Sequence, residues 1–366
     1  MKVVVGISGG VDSSVAAYLL KKEGYDVIGL FMRNWDASIN NDIMGNPTIN
    51  NSICPQEQDY NDALEVCNKL GIPLHRIDFV KEYWDYVFTY FLDELKKGRT
   101  PNPDIMCNKY IKFDLFIKEA KRLGADYIAT GHYARMKDGY LLRGIDDNKD
   151  QTYFLSQLTK EQLENVLFPV GDLKKEEVRR IANELGLNVA NKKDSTGICF
   201  IGERNFKQFL KNYLPNQKGD VINIETNKKV GEHIGLMYYT IGQRRGLDIG
   251  GNNDKLFVVG KDLNKNILYV TEGDTEYLYS DSCIVEDINF NCELRPTNCT
   301  AKFRYRQKDI DVKLEYLEDG NILVSYNNVK SVTPGQACVF YIEDKCIGGG
   351  IIKEVRKHDK KLWYLL

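Results

Sequence analysis

The chain has 366 residues, and its 50 lysines and arginines nearly balance its 52 aspartates and glutamates. This length predicts two or three domains. The balanced charge excludes a strong overall attraction to nucleic acid, so an RNA partner would need local basic patches. The nine cysteines are spread along the chain, which argues against a secreted disulfide scaffold and for a reducing, cytoplasmic location. No apolar run reaches about 18 residues, so no membrane span is predicted.

The first two hundred residues alternate between predicted strands and helices. This alternation is typical of an α/β domain with a doubly wound parallel sheet, which we expect over residues 1–205. Ligands bind such sheets beyond the carboxyl ends of the strands. The predicted strands are 3–5, 27–32, 74–79 and 127–130, and the predicted helices are 11–22, 63–70, 83–95 and 111–123.

From Phe206 onward short β segments separated by turn residues replace this alternation, after one predicted helix at 206–213. Such spacing is typical of small sheets and barrels. We expect a small, mainly β central domain over 206–276 and a C-terminal β-barrel over 277–366. Residues 36–60, rich in Asn, Asp and Pro, predict a mobile loop. The predicted strands are 221–224, 237–240, 257–260, 268–271, 301–306, 312–316, 323–326, 337–342 and 348–353.

The segment 6–14 reads Gly-Ile-Ser-Gly-Gly-Val-Asp-Ser-Ser and joins the first strand to the first helix. Gly9 and Gly10 can adopt positive φ and let the backbone approach an anion. The free N–H groups of the following helix point at that anion, with the helix dipole behind them. The serines add hydroxyl donors, and Asp12 is placed to face a metal bound to phosphates. The segment has no Walker A lysine, and a simple capped helix after a buried strand is the alternative.

Two further segments carry cysteines. Cys107 follows a proline-rich entry at the start of a predicted helix, where the helix N-terminus or Lys109 would lower a thiol pKa. A buried, inert cysteine is an equal alternative. Cys199 follows a glycine turn in a short apolar run, which by itself favours a core cysteine. The two thiols are 92 residues apart, so only the fold could bring them together.

Three other patterns suggest ligand contacts. Gly131 and His132 follow the strand at 127–130, where backbone can approach a nucleotide. The polar segment 147–152 enters an apolar run and reads equally as a solvated turn. In the predicted strand at 301–306, Arg304 and Arg306 would lie with two lysines on one face. Such a basic stripe suits phosphate contacts, although a solvated barrel face is an equal alternative.

Together these motifs resemble one family, the bacterial tRNA-specific 2-thiouridylases of the PP-loop ATP pyrophosphatase superfamily. The resemblance implies ATP and Mg²⁺ as cofactors. It also implies adenylation of the 2-carbonyl of the wobble uridine in tRNAs for Lys, Glu and Gln, followed by sulfur transfer from a protein persulfide. The sulfur would come from a donor such as a cysteine desulfurase or a relay protein. The matching stretches are GISGGVDSS, TPNPDIMCNKYIKF, TGHYAR, KDQTYFL, DSTGICFIGER, YTIGQRRGL, FRYRQ and TPGQ.

The resemblance also implies roles for individual residues. Cys107 would be the nucleophile, Cys199 the persulfide carrier and Asp104 an acid or base, and a Cys107–Cys199 disulfide would remain after turnover. Mg²⁺ would reach Asp12 through ATP. The implied ATP-binding residues are Gly6, Ile7, Ser8, Gly9, Gly10, Val11, Asp12, Ser13, Met32 and Gly131. The implied contacts to the target base and tRNA are Asn102, Pro103, Asp104, His132, Lys149, Asp150, Gln151, Arg304, Tyr305 and Gln336.

Two alternatives stay open on sequence alone. The first is another enzyme with the same phosphate loop, such as a 4-thiouridine synthase or an amide-forming ligase. The second is a non-catalytic RNA-binding protein in which the nucleotide is structural. The first would not need a thiol in both cysteine segments, and pyrophosphate release on adding tRNA and ATP would exclude the second.

Overall fold

The computed structural model describes residues 1–194, 197–247, 249 and 255–365. The strands of its first part are β1 (Lys2–Gly6), β2 (Asp26–Arg33), β3 (Leu74–Asp78), β4 (Tyr127–Ala129), β5 (Ala134–Lys137), β6 (Tyr140–Arg143) and β7 (Val166–Leu167). Five of them form a parallel sheet in the order β3-β2-β1-β4-β7. The remaining pair, β5 and β6, forms an antiparallel hairpin.

Helices connect and cover these strands. Two stretches close π-type turns instead of α turns, Trp84–Phe88 and Cys107–Leu115. Pro55 and Pro103 stand in the first turns of their helices, where a missing N–H costs nothing. The α-helices are α1 (Val11–Lys22), α2 (Pro55–Leu70), α3 (Val80–Tyr83), α4 (Thr89–Lys96), α5 (Pro103–Met106), α6 (Phe116–Arg122), α7 (Thr152–Leu155), α8 (Lys160–Leu163), α9 (Lys175–Glu184) and α10 (Phe206–Leu210).

The alternation of side chains along β1 shows that helices cover both faces of the sheet. Val3 and Val5 belong to the core formed with α1, α2 and α9. Val4 belongs to the opposite core, which includes the helical run around Phe88 and the one around Phe116. A parallel sheet buried on both faces is the doubly wound arrangement, so the predicted fold class of this part is confirmed.

The rest of the chain is mainly β. The central sheet has the order β10-β11-β8-β9, and 3₁₀ turns lie at Leu236–Tyr238 and Glu276–Leu278. The C-terminal strands run in the order β12-β15-β14-β13-β16-β17, and β12 also pairs with β17, so an antiparallel barrel closes. The strands, in chain order, are β8 (Gly219–Asn223), β9 (Lys228–His233), β10 (Leu256–Asp262), β11 (Ile267–Glu272), β12 (Tyr279–Phe290), β13 (Asn298–Lys302), β14 (Ile310–Tyr316), β15 (Ile322–Lys330), β16 (Ala337–Ile342), β17 (Lys345–Lys357) and β18 (Lys360–Lys361).

The barrel is joined to the first part of the chain. Strand β6 pairs with β17 through Leu142 and Lys345. The turn before β16 packs on the segment that leads to Cys107, since the Thr100 N–H donates to the Pro334 carbonyl at 2.9 Å. Among the described residues, no helix combines the length and apolar character needed to cross a membrane.

One predicted strand, 237–240, is wrong, and the predicted strand 301–306 is right only for its first two residues. Residues 237–240 lie in and after a 3₁₀ turn, and Tyr238 is buried with its hydroxyl donating to the Leu214 carbonyl. The apolar run is therefore buried without a strand. Residues 303–306 follow the end of β13, because the Phe303 N–H turns to the Gln307 side chain at 2.7 Å and Arg306 has φ 64°.

The predicted loop at 36–60 is also only partly right. Its last residues belong to α2, which begins at Pro55. The preceding part is anchored by the buried carboxylate of Asp42, which accepts hydrogen bonds from the Trp35 indole at 3.0 Å and from Arg204 at 2.8 Å. The segment is therefore tied to the residues that follow Cys199.

Candidate active site

Two cysteine side chains from distant segments meet in the structure. The Sγ atoms of Cys107 and Cys199 lie 3.9 Å apart. The backbone of Cys199 is held by hydrogen bonds at both its carbonyl and its N–H group. The Tyr83 hydroxyl donates to the Cys199 carbonyl at 2.7 Å, and the Cys199 N–H donates to Asp104 Oδ1 at 3.0 Å. The fold therefore places both predicted thiols in one site.

The helix that carries Cys107 begins with a well-defined cap. The Asn102 side chain accepts a hydrogen bond from the Asp104 N–H at 3.2 Å, and Pro103 occupies the first turn. The helical run then continues from α5 into the π segment Cys107–Leu115. Cys107 consequently lies in the second turn and is fully buried.

The acidity of the two thiols differs from the sequence prediction. Burial raises the pKa of Cys107 well above its ordinary value, so the predicted low-pKa thiolate at Cys107 is wrong. The pKa of Cys199 is lowered, first by the hydrogen bond from Cys107 and also by the Lys112 ammonium. Lys109, the predicted cation, instead donates to the Gln157 side chain at 3.3 Å. The more acidic sulfur is Cys199.

Asp104 is placed to hold or release a proton beside the thiols. Burial raises the pKa of its carboxyl group, although the Cys199 N–H and Lys112 oppose this shift. A carboxyl group with a raised pKa spends more time protonated near neutral pH, which suits an acid or base. Its role in the reaction stays a prediction.

The phosphate loop has the features that an anion needs. The N-cap of α1 is Gly10, and no side chain caps this helix, so the N–H groups of its first turn are left for a ligand. Gly9 has φ 72°, and a Cβ there would lie 2.2 Å from the Asp59 carbonyl oxygen. Ser8 and Ser13 hydroxyls lie 3.1 Å apart. This geometry fits the phosphates of ATP.

Asp12 is part of an ion-pair network that the sequence did not reveal. Its carboxylate accepts from Lys175 at 2.7 Å and from the Tyr133 hydroxyl at 2.7 Å. Lys175 also pairs with Asp194 at 2.8 Å. Burial alone would raise the pKa of Asp194, but hydrogen bonds from Lys149 and Lys175 lower it to about 2. These cations stand beside the uncapped start of α1.

A second cation supports the phosphate loop from its other side. Lys192 donates to the Gly9 carbonyl at 2.8 Å and pairs with Asp59 at 2.7 Å and Asp62 at 2.6 Å. Among the described residues, no group of three or more His, Cys, Asp or Glu side chains could hold a metal alone. A Mg²⁺ here would therefore depend on phosphate oxygens for most of its ligands, as Mg²⁺ at nucleotide sites usually does.

Gly131 packs on the phosphate loop, and His132 packs on the helical run that carries Cys107. A Cβ on Gly131 would lie 2.6 Å from the Ser13 nitrogen, so only glycine allows this close packing. His132 is buried, and its Nδ1 lies 2.7 Å from Thr130 Oγ1. Its ring lies 5.8 Å from that of Phe113. Burial, together with the charge of Lys112, lowers the pKa of His132 well below its ordinary value, so it is a neutral group.

The other predicted contacts near the sheet are used within the protein. Met32 lies near the carboxyl end of β2 and is half-buried. Lys149 pairs with Asp194 at 2.5 Å. The buried Asp150 accepts from the Thr152 hydroxyl at 2.9 Å, and Gln151 Oε1 accepts from the Tyr133 N–H at 2.9 Å. A contact of these residues with tRNA stays a prediction.

The barrel residues do not form the predicted stripe. Arg304 turns inward and donates to the carbonyls of Ile241 and Ser331 at 2.9 and 2.7 Å, because the strand ends before it. The half-buried Tyr305 lies 4.4 Å from the Phe154 ring, between ring centroids. Gln336 donates to the Thr100 carbonyl at 2.7 Å. Arg304, Tyr305 and Gln336 thus join domains, and their contact with tRNA is untested.

Four side chains that act on the thiol pair or the phosphate loop were missed by the sequence reasoning: Tyr83, Lys112, Lys175 and Lys192. Tyr83 reads as one aromatic residue among many on an amphipathic helix. Lys112 lies only five residues from Cys107, but α-helical spacing would direct it away from the thiol. Lys175 and Lys192 lie far along the chain from the phosphate loop, so no local pattern connects them to it.

Comparisons with known proteins agree with this arrangement. Residues 1–203 match the tRNA methyl transferase HUP domain, residues 207–272 match the tRNA methyl transferase PRC-barrel domain, and residues 280–352 match the aminomethyltransferase beta-barrel domain. These three models cover most of the sheet domain, the central sheet and the closed barrel, respectively.

Full-length relatives are similar over nearly the whole chain. The tRNA-specific 2-thiouridylase MnmA of Mycoplasmopsis synoviae (strain 53) is 61% identical, covering 99% of this chain and 98% of the relative. The Mesoplasma florum protein of the same name is 60% identical, covering 96% and 98%. That of Staphylococcus aureus (strain bovine RF122 / ET3-1) is 57% identical, covering 100% and 99%. The chain therefore belongs to the tRNA-specific 2-thiouridylase family.

Proposed function

We propose that the protein replaces the 2-oxygen of a tRNA uridine with sulfur at the expense of ATP, which becomes AMP and pyrophosphate. The 3.9 Å approach of Cys107 and Cys199 carries this proposal. A single inert cysteine would not need a second thiol beside it. Gly131 packs on the start of α1, and the next residue, His132, packs on Phe113 in the helical run that carries Cys107, which supports placing the sulfur chemistry near the nucleotide.

ATP activates the base in the first step. The 2-oxygen attacks the α-phosphate, pyrophosphate leaves, and the oxygen then departs later as part of AMP, a far better leaving group. The uncapped N-terminus of α1 binds the phosphates, and Lys175 and Lys192 are near enough to balance their charge. Mg²⁺, bound through ATP beside Asp12, would supply further charge neutralisation.

Sulfur enters in the second step. In our proposal the Cys199 persulfide attacks carbon 2 with its terminal sulfur, and AMP leaves. The Cys107 thiolate then attacks the Cys199 sulfur, the S–S bond to the terminal sulfur breaks, and 2-thiouridine is released. A Cys107–Cys199 disulfide remains, so a reducing agent must restore the two thiols before the next turnover.

The substrate and partners complete the proposal. Unpaired RNA bases can be splayed out of a loop into a protein site, and Asn102, Pro103 and Asp104 at the start of α5 would hold the target base. We propose the wobble uridine of tRNAs for Lys, Glu and Gln as the target. A cysteine desulfurase or a sulfur relay protein would supply sulfur in the cytoplasm. His132, Lys149, Asp150, Gln151, Arg304, Tyr305 and Gln336 would contact the tRNA.

The descriptions of all three matching domain models refer to methyl or aminomethyl transfer, and this does not change the proposal. The relatives at 57–61% identity carry the name 2-thiouridylase. Methyl transfer needs no pair of adjacent thiols, whereas the sulfur transfer above uses both. We therefore favour sulfur transfer.

A single-turnover experiment tests the proposal. The reduced protein is loaded with sulfane sulfur and mixed with tRNA, ATP and Mg²⁺, and pyrophosphate, tRNA nucleosides and the Cys107–Cys199 disulfide are measured together. We expect all three products in equal amounts. Pyrophosphate without a modified base would favour an amide-forming ligase, 4-thiouridine would favour the other thiolase, and no tRNA-dependent pyrophosphate would favour a non-catalytic RNA-binding protein.

A further inference from the structure

We propose that Lys112 is a catalytic residue whose ammonium group keeps Cys199 as the thiolate that accepts sulfur and then stabilises the persulfide anion that Cys199 carries. This inference rests on the proposed function. It adds to that function the group that makes Cys199, rather than Cys107, the sulfur acceptor.

The π segment explains how Lys112 reaches the thiols. Lys112 lies five residues after Cys107 in the segment Cys107–Leu115. At about 100° per residue, five residues of α-helix would rotate a side chain about 140° away from Cys107. The wider π turn closes i→i+5 hydrogen bonds and brings residue i+5 back towards the same side. Such π-type insertions occur frequently at functional sites. Here the π turn brings the Lys112 ammonium to the side of the helix that carries Cys107.

The surroundings of Lys112 fix where its ammonium lies. The Nζ atom lies 5.4 Å from the centre of the Phe200 ring, one residue beyond Cys199. Burial opposes the charged form of Lys112, but the neighbouring Cys199 and Cys107 sulfurs raise its pKa, and its ammonium in turn lowers the pKa of Cys199. Phe200 has φ 66°, a left-handed conformation that is uncommon for an aromatic residue.

The charged and titratable groups around Cys199 come from two helical stretches. Tyr83 faces it from α3, and Cys107, Asp104 and Lys112 face it from the helical run that starts at Pro103. Tyr83, Cys107 and Asp104 can only be neutral or negative, so they oppose a thiolate or at best hydrogen-bond it. The Lys112 ammonium acts on Cys107, Cys199 and Asp104 together. It is therefore the charge that offsets a buried anion at this site.

Lys112 assists the transfer of sulfur from a donor persulfide to Cys199, in which one S–S bond forms and another breaks. The Cys199 thiolate attacks the terminal sulfur of a donor persulfide, a new S–S bond forms on Cys199, and the S–S bond of the donor breaks. The donor leaves as a thiolate, and no external oxidant or reductant is consumed. The terminal sulfur on Cys199 then ionises, and its negative charge lies beside the same ammonium. Cys107 stays protonated until the later attack that closes the disulfide.

The experiment measures the reactivity of individual thiols without tRNA. The reduced full chain is treated with iodoacetamide over a range of pH, and alkylation of each cysteine is followed by peptide mass spectrometry. We expect Lys112→Met to slow alkylation of Cys199 near neutral pH at least about tenfold and to move its pH profile to higher pH. Lys112→Arg, which keeps the charge, should restore most of the rate.

Controls separate this effect from misfolding. The exposed Cys54 is an internal reference for the reagent, and Lys118→Met removes an exposed lysine from the same helical run. Alkylation of Cys54 should be the same in every variant, and Lys118→Met should leave the Cys199 profile unchanged. ATP binding should persist in every variant. An unaltered Cys199 profile in Lys112→Met, or no recovery in Lys112→Arg, would overturn the proposal. Because this readout needs no tRNA, failure to form 2-thiouridine would count against the proposed function separately.

Discussion

The Sγ atoms of Cys107 and Cys199 lie 3.9 Å apart, and the two thiols face opposite demands. Cys107 is buried where its pKa rises, whereas the pKa of Cys199 is lowered by its hydrogen bond from Cys107 and by Lys112. A thiol of low pKa is suited to accept sulfur first, and a protonated neighbour is suited to wait for the final attack. This difference supports the proposed order, in which Cys199 accepts sulfur first and Cys107 attacks last.

Serine substitution tests each thiol. We expect Cys107→Ser and Cys199→Ser each to abolish thiolation of tRNA, because a hydroxyl cannot carry or release sulfur in this way. ATP binding should remain, since the phosphate loop is a separate element. Nucleoside mass spectrometry measures the first property, and calorimetric titration with ATP measures the second. Normal amounts of thiolated tRNA from either variant would remove that cysteine from the mechanism.

Asp12 links the phosphate loop to Lys175 at 2.7 Å. We expect Asp12→Asn to slow tRNA-dependent pyrophosphate release roughly tenfold to a hundredfold, because a misplaced cation stabilises the transferring phosphate less well. The initial rate of pyrophosphate release at saturating ATP measures this. Asp114→Asn, which removes an exposed carboxylate of the Cys107 helix, serves as the control. Equal rates for Asp12→Asn and the wild type would refute the role of Asp12.

We predict that substitutions of Arg304 and Arg306 have different effects, on thermal stability and on tRNA binding respectively, although only one residue separates them. Arg304 donates to the Ile241 and Ser331 carbonyls, so Arg304→Met should lower the melting temperature through a loss of about 2 kcal/mol. The exposed Arg306 should leave the melting temperature unchanged when replaced by Ala. The Arg306→Ala variant should instead bind tRNA more weakly and show a smaller slope of log Kd against log salt concentration. An equal loss of thermal stability in both variants would contradict this assignment.

Lys261 gives a prediction about pH. It is buried, its Nζ donates to the Gly98 carbonyl at 2.6 Å, and burial lowers its pKa from 10.5 to about 7. Between those two values the unfolded chain binds more protons than the folded protein, so stability contributed by this group rises with pH. We expect the rise to be about 1 kcal/mol per pH unit in the lower part of that window.

The comparison with Lys261→Met isolates this effect. Denaturant midpoints of the wild type and the variant are measured at several pH values between about 7 and 10. The denaturant midpoint of the wild type, relative to that of Lys261→Met, should increase as the pH increases. A difference that stays constant over this range would show that Lys261 titrates as an ordinary exposed lysine.

The parts of the structure that were predicted correctly depend on local patterns. The strand, glycine turn and helix over the first 22 residues follow from an apolar run, Gly9 and Gly10, and a helical pattern that stops near Gly24. Each of these signals acts within a few residues, so neighbours in the sequence are enough to recognise it. The same holds for β16, an apolar run between turn residues.

The sequence-based predictions fail where the structure depends on contacts between distant residues or on unusual backbone geometry. The acidity of Cys199 depends on Cys107, which is 92 residues away, and on a π turn that no spacing rule anticipates. Alternating cations at 302–308 imitate a strand, but the backbone turns at Arg306. The ion pair between Asp12 and Lys175 joins residues 163 positions apart. Tertiary packing, rather than local preference, fixes these features.

The most direct test of the central claim is nucleoside analysis of unmodified tRNA incubated with the reduced protein, a persulfide sulfur donor, ATP and Mg²⁺. We predict that 2-thiouridine appears at the wobble position, that it requires ATP, and that equal amounts of AMP and pyrophosphate accompany it. The absence of 2-thiouridine when ATP binds normally, or the appearance of 4-thiouridine in its place, would contradict the account.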